Sequence, residues 1–437
     1  MNALIVGRVV AGLGGCGMYL GYVYRLVKLR GTWLIRDSAL TYFSALGSPK
    51  KLVLYNALVG VCWGTGAILV PLVGGAFSVS SATWIWAFYL NLPLAALLAP
   101  VYFFVTPSWN PRPDLTNRQK LATIDWLGAL LVAAVFAIPI TTIAFAGSTF
   151  AWNSGTSIAL FVVFGVVLVA FAAQQYFAFL TDPVNRLFPT HFLKSRSLVL
   201  LYIATACAAT ANAVVIYYVP LFFVFTRGDD ALDAAVRLLP FIVVFIFFVM
   251  LAGATLPLTG RYSLYYLVGG ALLTAGCALL FTIRHDTSVA KVYGYEILIA
   301  AGAGLTFQNG YGVASVKVNA ADKSNAIGFI NTAQIGTTAL ALAIASCLYQ
   351  NLGVSFLRDA LRDYDFPTGL LQLALGGAGS DVLASMPPEA ATITVNTIAY
   401  TIARVFGMSV AAGTLLIVAA MAMRHEKVDL TEAAARG

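Results

Sequence analysis

The sequence predicts an all-α integral membrane protein, a bundle of about eleven transmembrane helices, and three observations carry that prediction. Of the 437 residues, 60% are hydrophobic and only 10% charged, with a mean hydropathy of +0.85; soluble domains carry about 25% charged residues. Apolar stretches of about 20 residues recur along the whole length, each long enough to cross a hydrocarbon core of roughly 30 Å. Their apolarity is continuous rather than alternating, which marks helices and not barrel strands.

Taken in order, the spans are 2–22, which carries Arg8; 52–77, rich in glycine; 85–105; 126–147; and 156–180. Then come 198–225, with Asn212 and Tyr218; 235–258; 264–284; 292–316, with Glu296 and Gln308; 324–350, with Gln334; and 398–423, with Arg404. The loops between them are short except 23–51, which is basic, and 351–397, which is polar and slightly acidic.

Charge sets the orientation and excludes several functions. The net charge of +8 sits in short loops between apolar spans, as positive-inside bias does, so no nucleic-acid partner is expected. With the N-terminus outside, 18 of the 26 Lys and Arg fall in inner loops and the C-terminal tail, six fall outside, and two, Arg8 and Arg404, lie within spans. That asymmetry predicts an outer N-terminus and a cytosolic C-terminus. Five scattered cysteines and three histidines far apart make neither a disulfide framework nor a metal site. The first 22 residues are not a signal peptide, because Arg8 interrupts the apolar centre and no positive charge precedes it. There is no P-loop, so the chain is not an ATP-driven pump by itself; no cofactor and no enzyme activity is expected. Energy would come from an ion gradient.

The stretch "LIVGRVVAGLGG" at 4–15 places Leu4, Arg8, Gly12 and Gly14 at the spacing of L-x-x-x-R-x-x-Q-G-x-G-A. "GVCWGTGAILVPLVGG" follows at 60–75, where Gly60, Gly64, Ala67, Pro71 and Gly75 fall within an arc of about 80° at 100° per residue. With Gly74 beside them they form a small-residue face along which another helix can approach closely. "WIWAFYLNLP" at 84–93, "IDWLGALL" at 124–131 and blocks at 217–241 and 326–351 come next. In this order the blocks resemble the fourteen-helix drug:proton antiporters of the major facilitator superfamily, in particular fungal pumps for toxins and secondary metabolites. Ala11, Val70 and Ile85 depart from the family pattern.

The resemblance implies proton-coupled efflux of small apolar metabolites, toxins or drugs by a multi-pass protein of the plasma membrane. Its partners would be the small-molecule substrate, protons and the lipid bilayer; nothing in the residues points to an oligomeric state. Residues 1–105 would be a remnant of the N-terminal half, equivalent to family helices four to six, with 22–38 inserted and read as a retained intron or, alternatively, a basic loop on anionic lipid. Residues 106–185 would be a cytosolic loop and two extra central helices, and 186–437 the six-helix C-terminal half. The family's first three helices have no counterpart, so the chain as written is expected not to transport by itself. The alternatives are a siderophore transporter of a similar fourteen-helix family and a non-transporting degenerate membrane protein.

Arg8 is implied to line the N-terminal cavity and take part in proton exchange, the alternative being a hydrogen bond to a neighbouring helix. Glu296 is a candidate proton site or else a wetted residue near a helix end. Asn212, Tyr218, Gln308 and Gln334 are candidates for the substrate cavity, with inter-helical hydrogen bonding as the other reading for Asn212 and the glutamines, and packing against lipid or neighbouring helices as that for Tyr218. Arg404 either serves the site or snorkels.

Overall fold

The computed structural model describes residues 116–428 except 148, 184, 320–321 and 378–380. Before residue 116 it describes 7, 12, four residue pairs between 22 and 37, 58–62, 64–66, 69, 72–77, 80–81, 85–100 and 104. Arg8, Gly14 and Pro71 therefore lie outside the described residues. Within 22–38, Tyr22–Val23 pairs antiparallel with Arg36–Asp37, and Lys28–Leu29 pairs likewise with Thr32–Trp33.

Elsewhere the described structure is helical. The helices are α1 Trp86–Tyr89, α2 Asn91–Pro100, α3 Asn117–Ala122, α4 Trp126–Phe145, α5 Gly155–Phe177, α6 Arg196–Arg227, α7 Ala231–Val236 and α8 Leu239–Thr259. They continue as α9 Tyr262–Leu280, α10 Val289–Thr306, α11 Asn309–Val316, α12 Lys323–Asn331, α13 Thr337–Ala360, α14 Thr368–Gly376, α15 Asp381–Ser385 and α16 Pro388–Ala422. Among the described residues, seven helical units are long and apolar enough to cross a membrane. Their ends follow local chemistry. Asp230 caps α7 by accepting from the amides of Leu232 and Asp233, both at 2.8 Å. Gly228 and Gly260 end α6 and α8 at φ +68° and +66°, a left-handed turn that glycine adopts without a Cβ penalty.

Two expectations need correction. The span 292–316 is not one helix: it breaks at Phe307–Gln308 between α10 and α11. Nor is 351–397 a polar loop. Helix α13 runs on to Ala360, α16 begins at Pro388, and α14 lies between them with Leu371, Ala374 and Leu375 buried. That i, i+3, i+4 apolar stripe is short and flanked by polar residues, so mean hydropathy hides it while amphipathicity folds it.

The five spanning units from α6 to α16, together with α10 and α11, pack as one body. In lipid no hydrophobic effect drives helices together, so close packing through small residues does that job. A Cβ on Gly269 of α9 would stand 2.8 Å from the Gly302 carbonyl of α10, and one on Gly302 would stand 2.6 Å from Leu273 N. Gly276, two turns on from Gly269, has the Tyr295 carbonyl 2.9 Å from its missing Cβ. Helix α6 is central, with 67% of its apolar window buried, whereas only 6% of that of α5 is. Helices α4 and α5 therefore form an outer pair with most of their surface toward lipid.

That pair is clasped to the body at both ends. At one end Asp125, buried at the N-cap of α4, accepts from Gly128 N (2.8 Å), Gln174 Nε2 (2.9 Å), Gln175 Nε2 (2.8 Å) and Leu187 N (3.2 Å). Arg186 then contacts His191 (3.2 Å), and His191 reaches Asp322 at 3.4 Å. At the other end Trp152 Nε1 donates to Asn351 Oδ1 of α13 at 3.2 Å. The tail after α16 straps the end where Arg261 and Lys317 sit: Val428 N donates to the Gly260 carbonyl (2.9 Å) and Lys317 pairs with Glu426. The hydrogen bond from Lys317 holds the Glu426 carboxyl below the usual carboxylate range.

Replacing Gly302 with valine should lower the thermal midpoint in detergent, because the backbone of α9 cannot recede; overpacking of this kind costs roughly 1–3 kcal/mol. Gly294→Ala on the same helix meets nothing within 4 Å and should leave the midpoint unchanged or raised; equal behaviour of the two variants would contradict this packing. Asp125→Ala strands several buried donors at once, and a loss of about 3 kcal/mol is expected. A midpoint within a degree or so of the parent protein would show that the clasp contributes nothing to stability.

Candidate functional site

Described residues of the glycine-rich stretch between 58 and 77 lie against the C-terminal body. Gly60, Gly64 and Gly75 are buried. A Cβ on Gly60 would meet Val249 Cγ1 of α8 at 2.8 Å and Gln308 Cγ at 2.9 Å; one on Gly64 would meet Ile246 Cγ1 at 2.7 Å. At Gly75 the neighbours are backbone, Leu232 N and the Ala231 carbonyl of α7, both at 3.0 Å. The small-residue face thus forms a seam along α8 and the start of α7, with Gln308 on it. Gly74 and Gly12 have nothing within 4 Å of an added Cβ, and they are not at the seam.

Beside this seam is a cavity of about 550 Å³. Helix α6 supplies Asn212, Ile216, Tyr217, Pro220, Leu221 and Val224; α7 and the residues after it supply Ala234, Ala235 and Leu238. Phe307 comes from the break between α10 and α11, and Ile335, Thr338 and Leu342 come from the α12–α13 unit. No charged side chain lines it among the described residues.

Two backbone irregularities border the cavity, and both follow from local chemistry. Thr332–Gly336 forms a single π-turn between α12 and α13, a feature common at functional sites. The Gln334 side chain, presented by that turn, donates from Nε2 to the Phe307 carbonyl at 2.9 Å, at the α10–α11 break. Tyr311 Oη in turn donates to Gln334 Oε1 (2.7 Å) and lies 3.0 Å from Asn331 Oδ1. Gln334 is therefore placed as an inter-helical tie behind the cavity wall. Tyr218 is also behind the wall, buried, with its ring 5.7 Å from that of Tyr349. Of the four cavity candidates, Asn212 alone is among the lining residues. Its side chain is 2% exposed, and its Oδ1 has no hydrogen-bond partner among the described residues.

Glu296 lies on the inner face of α10, 0% exposed, with neither carboxylate oxygen partnered among the described residues. It lies about two turns into α10 from Val289 and is enclosed rather than wetted. Arg404 does not snorkel freely: its guanidinium stacks over Phe281 (4.3 Å) and Tyr400 (4.4 Å). In the sequence Arg237 is one of the six outer charges, at a helix mouth. It is a clamp, donating to Asp229 through Nε (2.7 Å) and Nη2 (3.2 Å) and to Tyr293 Oη (3.3 Å), with its face over Phe223. The signal was available in "RGDDALDAAVR", where Asp229 and Arg237 flank the short helix α7 that Asp230 caps. The Asp125 clasp was likewise missed, although "IDWLG" shows an acidic cap before an apolar run.

Comparison with known proteins gives this geometry its context. Residues 37–342 match the Major Facilitator Superfamily. The chain is 40% identical over 422 residues to the efflux pump patC of Aspergillus clavatus, covering 96% of this chain and 73% of that protein. It is 40% identical to the MFS-type transporter patC of Penicillium expansum, with 96% and 74% covered. To the phomenoic acid biosynthesis cluster MFS-type transporter of Leptosphaeria maculans it is 37% identical over 456 residues, with 100% and 69% covered. Among solved structures it is similar to a bacterial homolog of the human lysosomal transporter Spinster, at 15% identity, 88% of each chain and a TM-score of 0.42. With seven long apolar helices and a family match over most of its length, the chain is a multi-pass membrane protein that belongs to the Major Facilitator Superfamily.

Proposed function

We propose that this protein exports a small apolar molecule from the cytosol across the plasma membrane in exchange for protons. The observation that carries the reading is the uncharged cavity bordered by the α10–α11 break and the π-turn. Interrupted helices near the midplane are where transporters of this general kind place their substrate sites, and irregular backbone is tolerated in a membrane where it lines a cavity. Relatives named as efflux pumps support the direction of transport. A cytosolic C-terminus fits the clustering of Arg196, Arg261, Lys317 and the tail at one end of the bundle, where Arg196 donates to the Ala422 carbonyl.

Glu296 is the group we assign to the exchanged proton. An ionised carboxylate without a partner in a dry interior costs several kcal/mol, and a proton removes that cost. Access of water from one side and then the other would load and unload it. Arg8, by family resemblance, would act from the opposite half, and the seam at Gly60, Gly64 and Gly75 would be the surface along which the halves move.

The test is loss of preloaded Nile red from yeast lacking its own drug pumps. Two proteins are compared: the 437-residue chain and the same chain with the part of the patC pump outside the match supplied in frame. Efflux by the supplemented chain should exceed that of the empty vector and stop on addition of a protonophore. Glu296→Gln should slow it by about tenfold or more at unchanged surface amount. Protonophore-insensitive efflux, or an undiminished rate with Glu296→Gln, would remove proton exchange from the reading. Efflux by the unsupplemented chain at the supplemented rate would overturn the expectation that it does not transport alone.

A further inference from the structure

The cavity's polar inventory is small enough to define what it takes. Its volume of about 550 Å³ is within the roughly 300–1,000 Å³ usual for small-molecule sites. Its walls are aliphatic and aromatic, and no described lining residue carries a charge. An ionic ligand would lose its hydration there with no counter-charge to replace it, which is strongly unfavourable.

Three lining side chains have polar atoms. The Thr338 hydroxyl already donates to the Gln334 carbonyl at 2.8 Å, so only its acceptor capacity remains. Tyr217 is 59% exposed and so is not held in the wall. Asn212 is different: it is 2% exposed, set in the wall of α6, and its Oδ1 is enclosed without a partner. A buried amide left unsatisfied costs about 1–3 kcal/mol. A helix interior facing an apolar cavity gives no structural reason to keep it, because leucine would fill the same place. The amide offers one acceptor and two donors, and rotation about χ2 presents either end to the cavity.

We propose that the cavity selects a neutral, largely apolar molecule bearing a hydroxyl group, and that Asn212 is the specificity-determining residue. The hydroxyl donates to Asn212 Oδ1 or accepts from Nδ2, while the remainder of the molecule packs between α6, α7 and α13. An ether oxygen can only accept, so it can take a hydrogen bond from Nδ2 but leaves the amide carbonyl unsatisfied in either orientation. This rests on the cavity being the substrate site of the export reading, but it concerns binding and needs no gradient.

The experiment uses the purified 437-residue chain in lipid nanodiscs, with saturable pyrene fluorescence as the readout. The probes are 1-pyrenebutanol, its methyl ether and 1-pyrenebutyrate at pH 7.5. Leu342→Trp, which narrows the cavity from α13, corrects for partition into lipid. The alcohol should bind about tenfold tighter than the ether, and the carboxylate more weakly than both. Asn212→Leu should abolish the difference between alcohol and ether while leaving the ether within about twofold. Leu342→Trp should remove saturable binding of all three. The comparison of alcohol with ether needs no variant, so misfolding of Asn212→Leu does not protect the proposal. Equal affinity for alcohol and ether in the parent chain, tight binding of the carboxylate, or no saturable binding of any probe would each overturn it. Failure of export in yeast with the alcohol preference intact would overturn the export reading alone, and export without that preference would overturn this proposal while leaving the export reading in place.

Discussion

The hydrogen bond from Gln334 Nε2 to the Phe307 carbonyl is the tie on which the site depends. Inside a membrane every backbone polar group needs an internal partner, and a break in a helix exposes several at once. Here two irregularities, the α10–α11 break and the π-turn of 332–336, come together, and a side chain from one satisfies the backbone of the other. Tyr311 completes the arrangement by donating to the same glutamine. The glutamine therefore fixes the distance between α10 and the α12–α13 unit, and with it the width of the cavity whose wall includes Phe307, Ile335 and Thr338.

Around that tie the body is held by contact rather than by hydrophobic drive. Gly269 and Gly302 let α9 and α10 touch backbone to backbone, while Gly60 and Gly64 admit facing side chains at the seam along α8. The two kinds of contact differ in what lies opposite the glycine. At Gly302 it is helix backbone, which fixes the pair; at Gly60 and Gly64 it is side chains of Val249, Gln308 and Ile246, over which a neighbouring segment can slide. A rigid body bounded by one smooth face is what rocking between two orientations requires. Polar clamps finish the ends: Arg237 with Asp229 at one, Asp125 with Gln174 and Gln175 at the other.

Much of the fold was legible because length and hydropathy suffice to mark a span: helices α4, α5, α6, α8 and α9 fall within a few residues of the stretches read from the sequence. The break at Phe307 was not, since "GLTFQNGYGV" stays apolar on average and the interruption depends on a partner, Gln334, 27 residues away. The helices between 351 and 397 were hidden for the opposite reason, being too polar on one face to register as apolar. Within the site, Asn212 and Glu296 stood out as polar residues in apolar spans, but burial and the lack of partners belong to three dimensions. The Asp125 clasp joins residues 49 and 50 positions apart, and no single stretch of sequence displays it.

The π-turn has a further consequence. It accommodates one residue more than an α-helical turn would, so α12 enters α13 out of phase by about 100° relative to an unbroken helix. Asn331, whose Oδ1 lies against Tyr311, faces its partner because of that offset. Deleting a single residue between 332 and 336 would thus act as a change of angle more than of length: α13 could keep its place while every side chain of α12 turned to a new neighbour. Insertions and deletions at this point are in effect rotations, and the chain carries there a setting for the azimuth of one helix that its amino-acid composition would never reveal.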